Sequence, residues 1–295
     1  METKELIVHE LKAIEEENGV RILHAVESGS RAWGFASPDS DYDVRFVYVR
    51  PPRDYIRLNE PKDVIIWKDD NVLDINGWDL RKAMKQFARG NATLFEWSYS
   101  PVVYQTSSEW ATVCDVAKSY FSEKAAIYHY YGTAMTTWKE YLTGETVRYK
   151  KYFYALRPLL AAQYIERYHT IPPVLFEDLL KMEMAPSLRS AIGKLLEIKK
   201  MTTEGEINPQ IPEIRDFIRD ELPRQKSICD TIPDDRNDDI RVFLDFLPVG
   251  MVRFVTDFVE DVFLVFEIGA DPFEEILRLV QIFHRRFILQ DMPVH

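Results

Sequence analysis

Two aspartates one residue apart, Asp41 and Asp43 in SPDSDYDVR, follow a glycine-serine turn at Gly29 and Ser30. Alternate side chains of an extended strand share a face, so Asp41, Asp43 and Arg45 are expected to project together while Tyr42, Val44 and Phe46 enter a core. Carboxylates on one face can share a divalent cation through hard oxygen ligands. A glycine-serine turn opening a helix brings backbone N–H groups and the Ser30 hydroxyl towards phosphate oxygens. Phosphoryl and nucleotidyl transfer need these two devices, oxygen ligands for Mg²⁺ and a clamp on a triphosphate. A third carboxylate is expected in the next unit. Asp74 stands alone between Leu73 and Ile75 in an apolar strand, a placement that demands a partner. Asp79, ahead of Leu80-Arg81-Lys82, is accounted for as a helix N-cap, so Asp74 is favoured.

The elements that must position these residues follow from hydrophobic period and turn chemistry. A helix over Glu5–Glu17 ends at Asn18-Gly19, and a strand over Val20–Val26 runs into Glu27-Ser28-Gly29-Ser30. A short helix over Ser30–Phe35, the turn-rich SPDSD and a strand over Tyr42–Val49 complete the unit. Val64–Trp67 and Val72–Asn76 are expected to pair as a hairpin on the same sheet, and a helix over Leu80–Arg89 stops at Gly90. Beyond Pro101 the spacing predicts helices over Glu109–Phe121, Ala125–Leu142, Lys150–Tyr168, Pro173–Met182, Ser187–Met201 and Ile211–Leu222. Pro158 is expected to kink or restart the third of these. Pro223–Asp239 reads as a linker, followed by apolar helices near Ile240–Phe266 and Pro272–Leu289. The expected organisation is a catalytic domain at 1–104, a helical domain at 105–222, and a linker with a helical extension at 223–295.

Composition narrows the class. A chain of 295 residues with 46% hydrophobic content can bury a large core. A net charge of −11 disfavours coating of nucleic acid by bulk attraction, so a polyanion must be met by a local basic patch. Cys114 and Cys229 are far apart with no CxxC pair, which suggests neither a zinc site nor a disulfide framework and a cytoplasmic location. The charged N-terminus lacks the apolar core of a signal peptide, and acids and Arg253 interrupt the apolar stretch Val242–Ile268, so no membrane span is expected. Composition does not indicate an oligomeric state.

The run G-S-x10-D-Y-D-V, followed by the strand acid Asp74, resembles the polymerase-β-like nucleotidyltransferase superfamily, and most closely its RNA-ligase-associated bacterial and phage branch. The segments GSRAWGFASPDSDYDVRFVYVRP, DINGWDLRKAMKQFARGNATLFEWSYSPVVY, KKYFYALRPLLAAQYIERY and PPVLFEDLL carry the resemblance over about residues 20 to 182. It implies an α+β fold, a mixed or antiparallel sheet with helices followed by a mainly helical domain. It further implies transfer of a nucleoside monophosphate from a nucleoside triphosphate such as ATP, with Mg²⁺ or Mn²⁺ as cofactor and an RNA end as acceptor; the alternatives are a nucleotide-binding regulatory protein of the same fold without turnover, and transfer to a protein or small-molecule hydroxyl. On that resemblance Gly29 and Ser30 contact the triphosphate, Asp41 and Asp43 are metal ligands, and Asp74 is the third acid. Related sequences can carry an acid where this chain has Asn76.

Several further residues have both an ordinary and a functional reading. Arg45 either neutralises triphosphate charge or pairs with the aspartates. Arg81, Lys82, Lys85 and Arg89 read as a solvated helix face, with Lys82 closest to the site. Asn91 is expected to terminate a helix and Glu96 to satisfy a buried amide. The basic group Arg148, Lys150, Lys151 and Arg157 is interleaved with Tyr149, Tyr152, Phe153 and Tyr154. It can stack a base or pack on the sheet, and the resemblance favours a nucleotide-facing role for Lys151 and Arg157. His24, His129 and His169 show no metal-ligand spacing.

Overall fold

The two-residue period of Val44, Phe46 and Tyr48 is what builds the sheet. In the computed structural model, which describes residues 3–37, 40–55, 57–69, 72–201 and 206–237, those side chains are buried together on one face of the strand β2 (Tyr42–Val49). Ahead of it come helix α1 (Thr3–Asn18), strand β1 (Arg21–Glu27) and the one-turn α2 (Gly29–Ala32). After it come α3 (Pro52–Tyr55), β3 (Val64–Asp69), β4 (Leu73–Asp79), α4 (Leu80–Ala88), α5 (Ala92–Ser98) and β5 (Val103–Thr106). The five strands form one mixed sheet in the order β3-β4-β2-β1-β5. Only β2 and β4 run parallel; the hairpin β3-β4 and the pairs β1-β2 and β1-β5 are antiparallel. Ile7, Leu11 and Ile14 of α1 cover the face that carries Val44, Phe46, Ile65 and Ile75. At Gly77 the Phe46 ring lies where a Cβ would be, 2.3 Å from its atoms, so a side chain there is excluded.

The helical part follows: α6 (Ser108–Ala117), α7 (Glu123–Thr137) extended by a π turn at Trp138–Leu142, a short ladder of β6 (Thr146–Arg148) with β7 (Ile207–Pro209), and α8 (Tyr149–Tyr168). Then come α9 (Phe176–Leu179), α10 (Pro186–Met201) and α11 (Pro212–Thr231). Tyr130, Phe153, Leu156, Leu159, Ile192 and Ile218 are among its buried core, and Phe35, next to the glycine-serine turn, inserts into that core. The Phe35 ring stacks on Phe153 with centroids 4.6 Å apart and meets Phe176 edge-on at 5.5 Å. The architecture is α+β as expected.

Some boundaries differ from the sequence reading. The division at 104/105 falls inside β5, and Trp110 of α6 stacks on His24 of β1. Helix α11 does not stop at Leu222 but runs through Pro223 to Thr231. Packing overrides the proline there: Arg224 binds both Glu166 oxygens at 2.8 and 2.9 Å, and the buried Gln225 donates to the Leu159 carbonyl at 2.8 Å. Helix α8, by contrast, has the expected span, with Pro158 inside it. Of Pro173–Met182 only Phe176–Leu179 is helical, because the Val174 carbonyl is taken by Arg157 Nε and the Phe176 amide donates to the Trp33 carbonyl. The helices expected near Ile240–Phe266 and Pro272–Leu289 lie outside the described residues.

His24 has the ordinary role foreseen for it. Its Nε2–H donates to the Trp97 carbonyl at 3.2 Å, which leaves Nδ1 to accept from the Thr106 hydroxyl at 3.0 Å. Burial pushes its pKa down to about 4. Between that value and about 6.5 the unfolded chain takes up a proton that the native chain refuses, so His24 lowers stability as pH falls through this window. The expected outcome is a His24 imidazole that stays neutral at pH 5.5 in an NMR titration. Correspondingly, His24→Gln should flatten the fall of the urea-unfolding free energy between pH 6.5 and 4.

Candidate active site

The carboxylates that the sequence singled out meet through the register of β2 and β4. Asp43 pairs with Asp74 and Arg45 with Asn76 across the two parallel strands. Period two puts all four side chains on the face opposite Val44 and Ile75. Like charges side by side on neighbouring strands repel, and the second pair answers the first. Arg45 Nη2 lies 2.6 Å from Asp74 Oδ2 and 3.3 Å from Asp43 Oδ1, while Asn76 Nδ2 donates to Asp74 Oδ1 at 3.0 Å. Burial, with the nearby charges of Asp74 and Asp41, raises the Asp43 pKa above the usual carboxylate value; Arg45 and Lys150 oppose that rise.

The glycine-serine turn abuts this pair. Gly29 has φ of +58°, and a Cβ on it would come within 2.1 Å of Asp43 Oδ2. The glycine therefore makes room for the carboxylate as well as for the left-handed backbone. The Ser28 amide donates to the Asp43 carbonyl at 2.8 Å. Ser30, expected to offer its hydroxyl to phosphates, is buried at 5% exposure. Asp41 lies in the loop immediately before β2, and its charge acts on Asp43. Its segment is held by Arg31, which donates from Nε to the Asp41 carbonyl at 3.1 Å and from Nη2 to the Ser40 carbonyl at 2.6 Å. The Arg31 guanidinium also stacks 3.7 Å from the Tyr42 ring centroid.

One neighbour of Asp43 escaped the sequence reading, and another was named there only within a larger basic group. Glu27, 1% exposed, accepts the Asp43 backbone amide at 2.7 Å and the Tyr104 hydroxyl. An acid closing the apolar strand ILHAVE is the kind of signal that drew attention to Asp74, and it was available here. Lys150 acts on Asp43 through its charge, whereas Lys151 lies over the Tyr141 ring at 3.9 Å. Both sit in the first turn of α8, and the sequence had favoured the second of them.

Other expected residues prove structural. Arg157, 2% exposed, is no nucleotide contact: its Nη1 pairs with Glu96 at 2.7 Å and its guanidinium stacks on Trp33 at 4.7 Å. Glu96 also accepts from the Tyr130 hydroxyl at 2.8 Å and the Trp33 indole at 3.3 Å. Asn91 starts α5 as its N-cap, accepting from the Leu94 amide, and ends no helix. Asp79 caps α4 as expected and accepts from Tyr55. Lys82 pairs with Asp63 at 3.1 Å, and it lies beside the Trp78 ring.

The family model for the RNA repair pathway DNA polymerase beta family matches residues 3–247. The chain belongs to that family. An uncharacterised protein of Bacillus subtilis (strain 168), YcgL, is 44% identical over 223 residues, covering 75% of this chain and 86% of that protein. The family is polymerase-β-like and associated with RNA repair, which suggests nucleotidyl transfer. No helix among the described residues is long and apolar enough to cross a membrane.

For the divalent cation that such chemistry calls for, the donor set is suitable in kind. Asp43 and Asp74 supply hard oxygens, and the negative charge crowded on Asp43 is what a cation offsets. No three His, Cys, Asp or Glu side chains among the described residues gather closely enough to cage an ion. Gly29→Ala is expected to destabilise the chain by about 2–4 kcal/mol, through the strained φ and the collision with Asp43. In an Asp43→Ala background the same change should cost only about 1–2 kcal/mol, the backbone part, as read by urea unfolding of the four members of the cycle.

Proposed function

We propose that the chain transfers a nucleoside monophosphate from a nucleoside triphosphate to an acceptor hydroxyl, with an RNA end as the acceptor class. The observation that carries this reading is the pairing of Asp43 with Asp74 across parallel strands, directly beneath the Gly29 turn. In the proposed reaction the acceptor oxygen bonds to the α-phosphorus as the bond from that phosphorus to the β-bridging oxygen breaks. Pyrophosphate departs, and the hydroxyl proton passes to Asp74.

Asp41 and Asp43 would hold Mg²⁺ or Mn²⁺, with Asp74 as the third acid of the set. The ion, when bound, supplies charge stabilisation to the phosphate oxygens. The remaining work belongs to the chain. Glu27 fixes the Asp43 amide, Arg31 fixes the loop that presents Asp41, and the Gly29-Ser30 turn approaches the triphosphate through its backbone. Lys150 brings positive charge to the acidic face, so that a polyanion is met locally on a chain whose net charge is −11, and Lys151, one residue on and over the Tyr141 ring, is assigned to the nucleotide. Arg45 serves the same face by neutralising the aspartates.

Incubation with α-labelled nucleoside triphosphates, Mg²⁺ or Mn²⁺ and RNA oligonucleotides tests the proposal. The expected result is label in RNA, reduced at least a hundredfold by Asp43→Asn in a chain that keeps its unfolding midpoint. Label appearing in protein or in a small molecule, with none in RNA, would redirect the acceptor assignment. Undiminished transfer by Asp43→Asn would remove the site.

A further inference from the structure

We infer that Arg45 takes the place of a second metal ion, so that this site works with a single divalent cation, held at Asp43. The inference rests on the proposed metal site and deepens it. Two-metal transfer sites place their ions about 3.5–4 Å apart, bridged by shared carboxylates. Here the space between the two paired carboxylates is filled by a side chain of the protein. One nitrogen, Arg45 Nη2, reaches both Asp43 Oδ1 and Asp74 Oδ2.

The guanidinium is fixed there by more than charge. Its other nitrogen, Nη1, donates to the Val44 carbonyl at 3.0 Å and to the Asp74 carbonyl at 2.9 Å, so two backbone acceptors orient the group independently of the carboxylates. Its side chain is only 16% exposed, against 31% for each aspartate. An arginine cannot be deprotonated at any relevant pH, so the position carries a permanent positive charge. A cation bridging Asp43 and Asp74 would have to displace four hydrogen bonds and share the space with that charge. Asp74 is further engaged on its other oxygen by Asn76. An amide there donates to Asp74, whereas a second acid would add a ligand. Arg45 engages Asp43 through Oδ1, whereas Oδ2 faces Gly29, and Asp41 contributes its charge to the same carboxylate.

Counting Mn²⁺ ions on the full-length chain by electron paramagnetic resonance, with isothermal titration as a second count, tests the inference. The wild type is expected to bind one ion that Asp43→Asn abolishes. Arg45→Met, which removes the charge and the fork but keeps side-chain length, should bind two Asp43-dependent ions, and Arg45→Lys should remain at one. Two Asp43-dependent ions on the wild type would overturn the stand-in role while leaving the metal site intact. A single ion on a folded Arg45→Met chain would overturn it equally. No Asp43-dependent ion on the wild type would remove the metal site itself, and Arg45's role with it. The wild-type count decides even if a variant fails to fold.

Discussion

The structure turns on the repulsion between two carboxylates that the sheet forces side by side. Parallel pairing of β2 with β4 sets Asp43 against Asp74, and a one-residue slip of either strand would turn its apolar residues to the wrong face. The cost is met two residues further along the same strands, by Arg45 and Asn76, because period two returns the chain to the same face. The register that buries Val44 and Ile75 thus also fixes the acids and their counter-groups. Core and site are consequences of one alignment.

The turn that approaches this pair is held from the other side. Phe35 is seated among Phe153 and Phe176, and Trp33 packs against Tyr154 and Arg157. The buried Arg157–Glu96 pair ties α8 to α5 just behind it, and Tyr130 adds a third element. Removing one partner of such a pair typically costs about 3–5 kcal/mol, because the other charge is left buried. The helical core therefore braces the glycine-serine turn, and α8 brings Lys150 close enough for its charge to act on Asp43.

Much of this was legible in the sequence because it follows local rules. The bounds of β2 were readable from alternation, the α4 N-cap from Asp79 ahead of Leu80, and the strand position of Asp74 from its apolar neighbours. The parallel partnership of β2 and β4 was not, since nothing local specifies which strand lies beside which. The roles of Arg157 and Glu96 depended on that same long-range information: a basic residue among aromatics reads alike whether it faces a ligand or a buried carboxylate. Asp41 precedes β2 by one residue, in a loop that Arg31 holds. Pro223 misled, because tertiary packing carries the helix through it.

Anomalous diffraction from crystals of the full chain grown with Mn²⁺ addresses the central claim most directly. The account predicts one manganese peak bonded to Asp43, with Arg45 still spanning Asp43 and Asp74. A peak lying between those two carboxylates with Arg45 displaced, or no peak at Asp43, would contradict it.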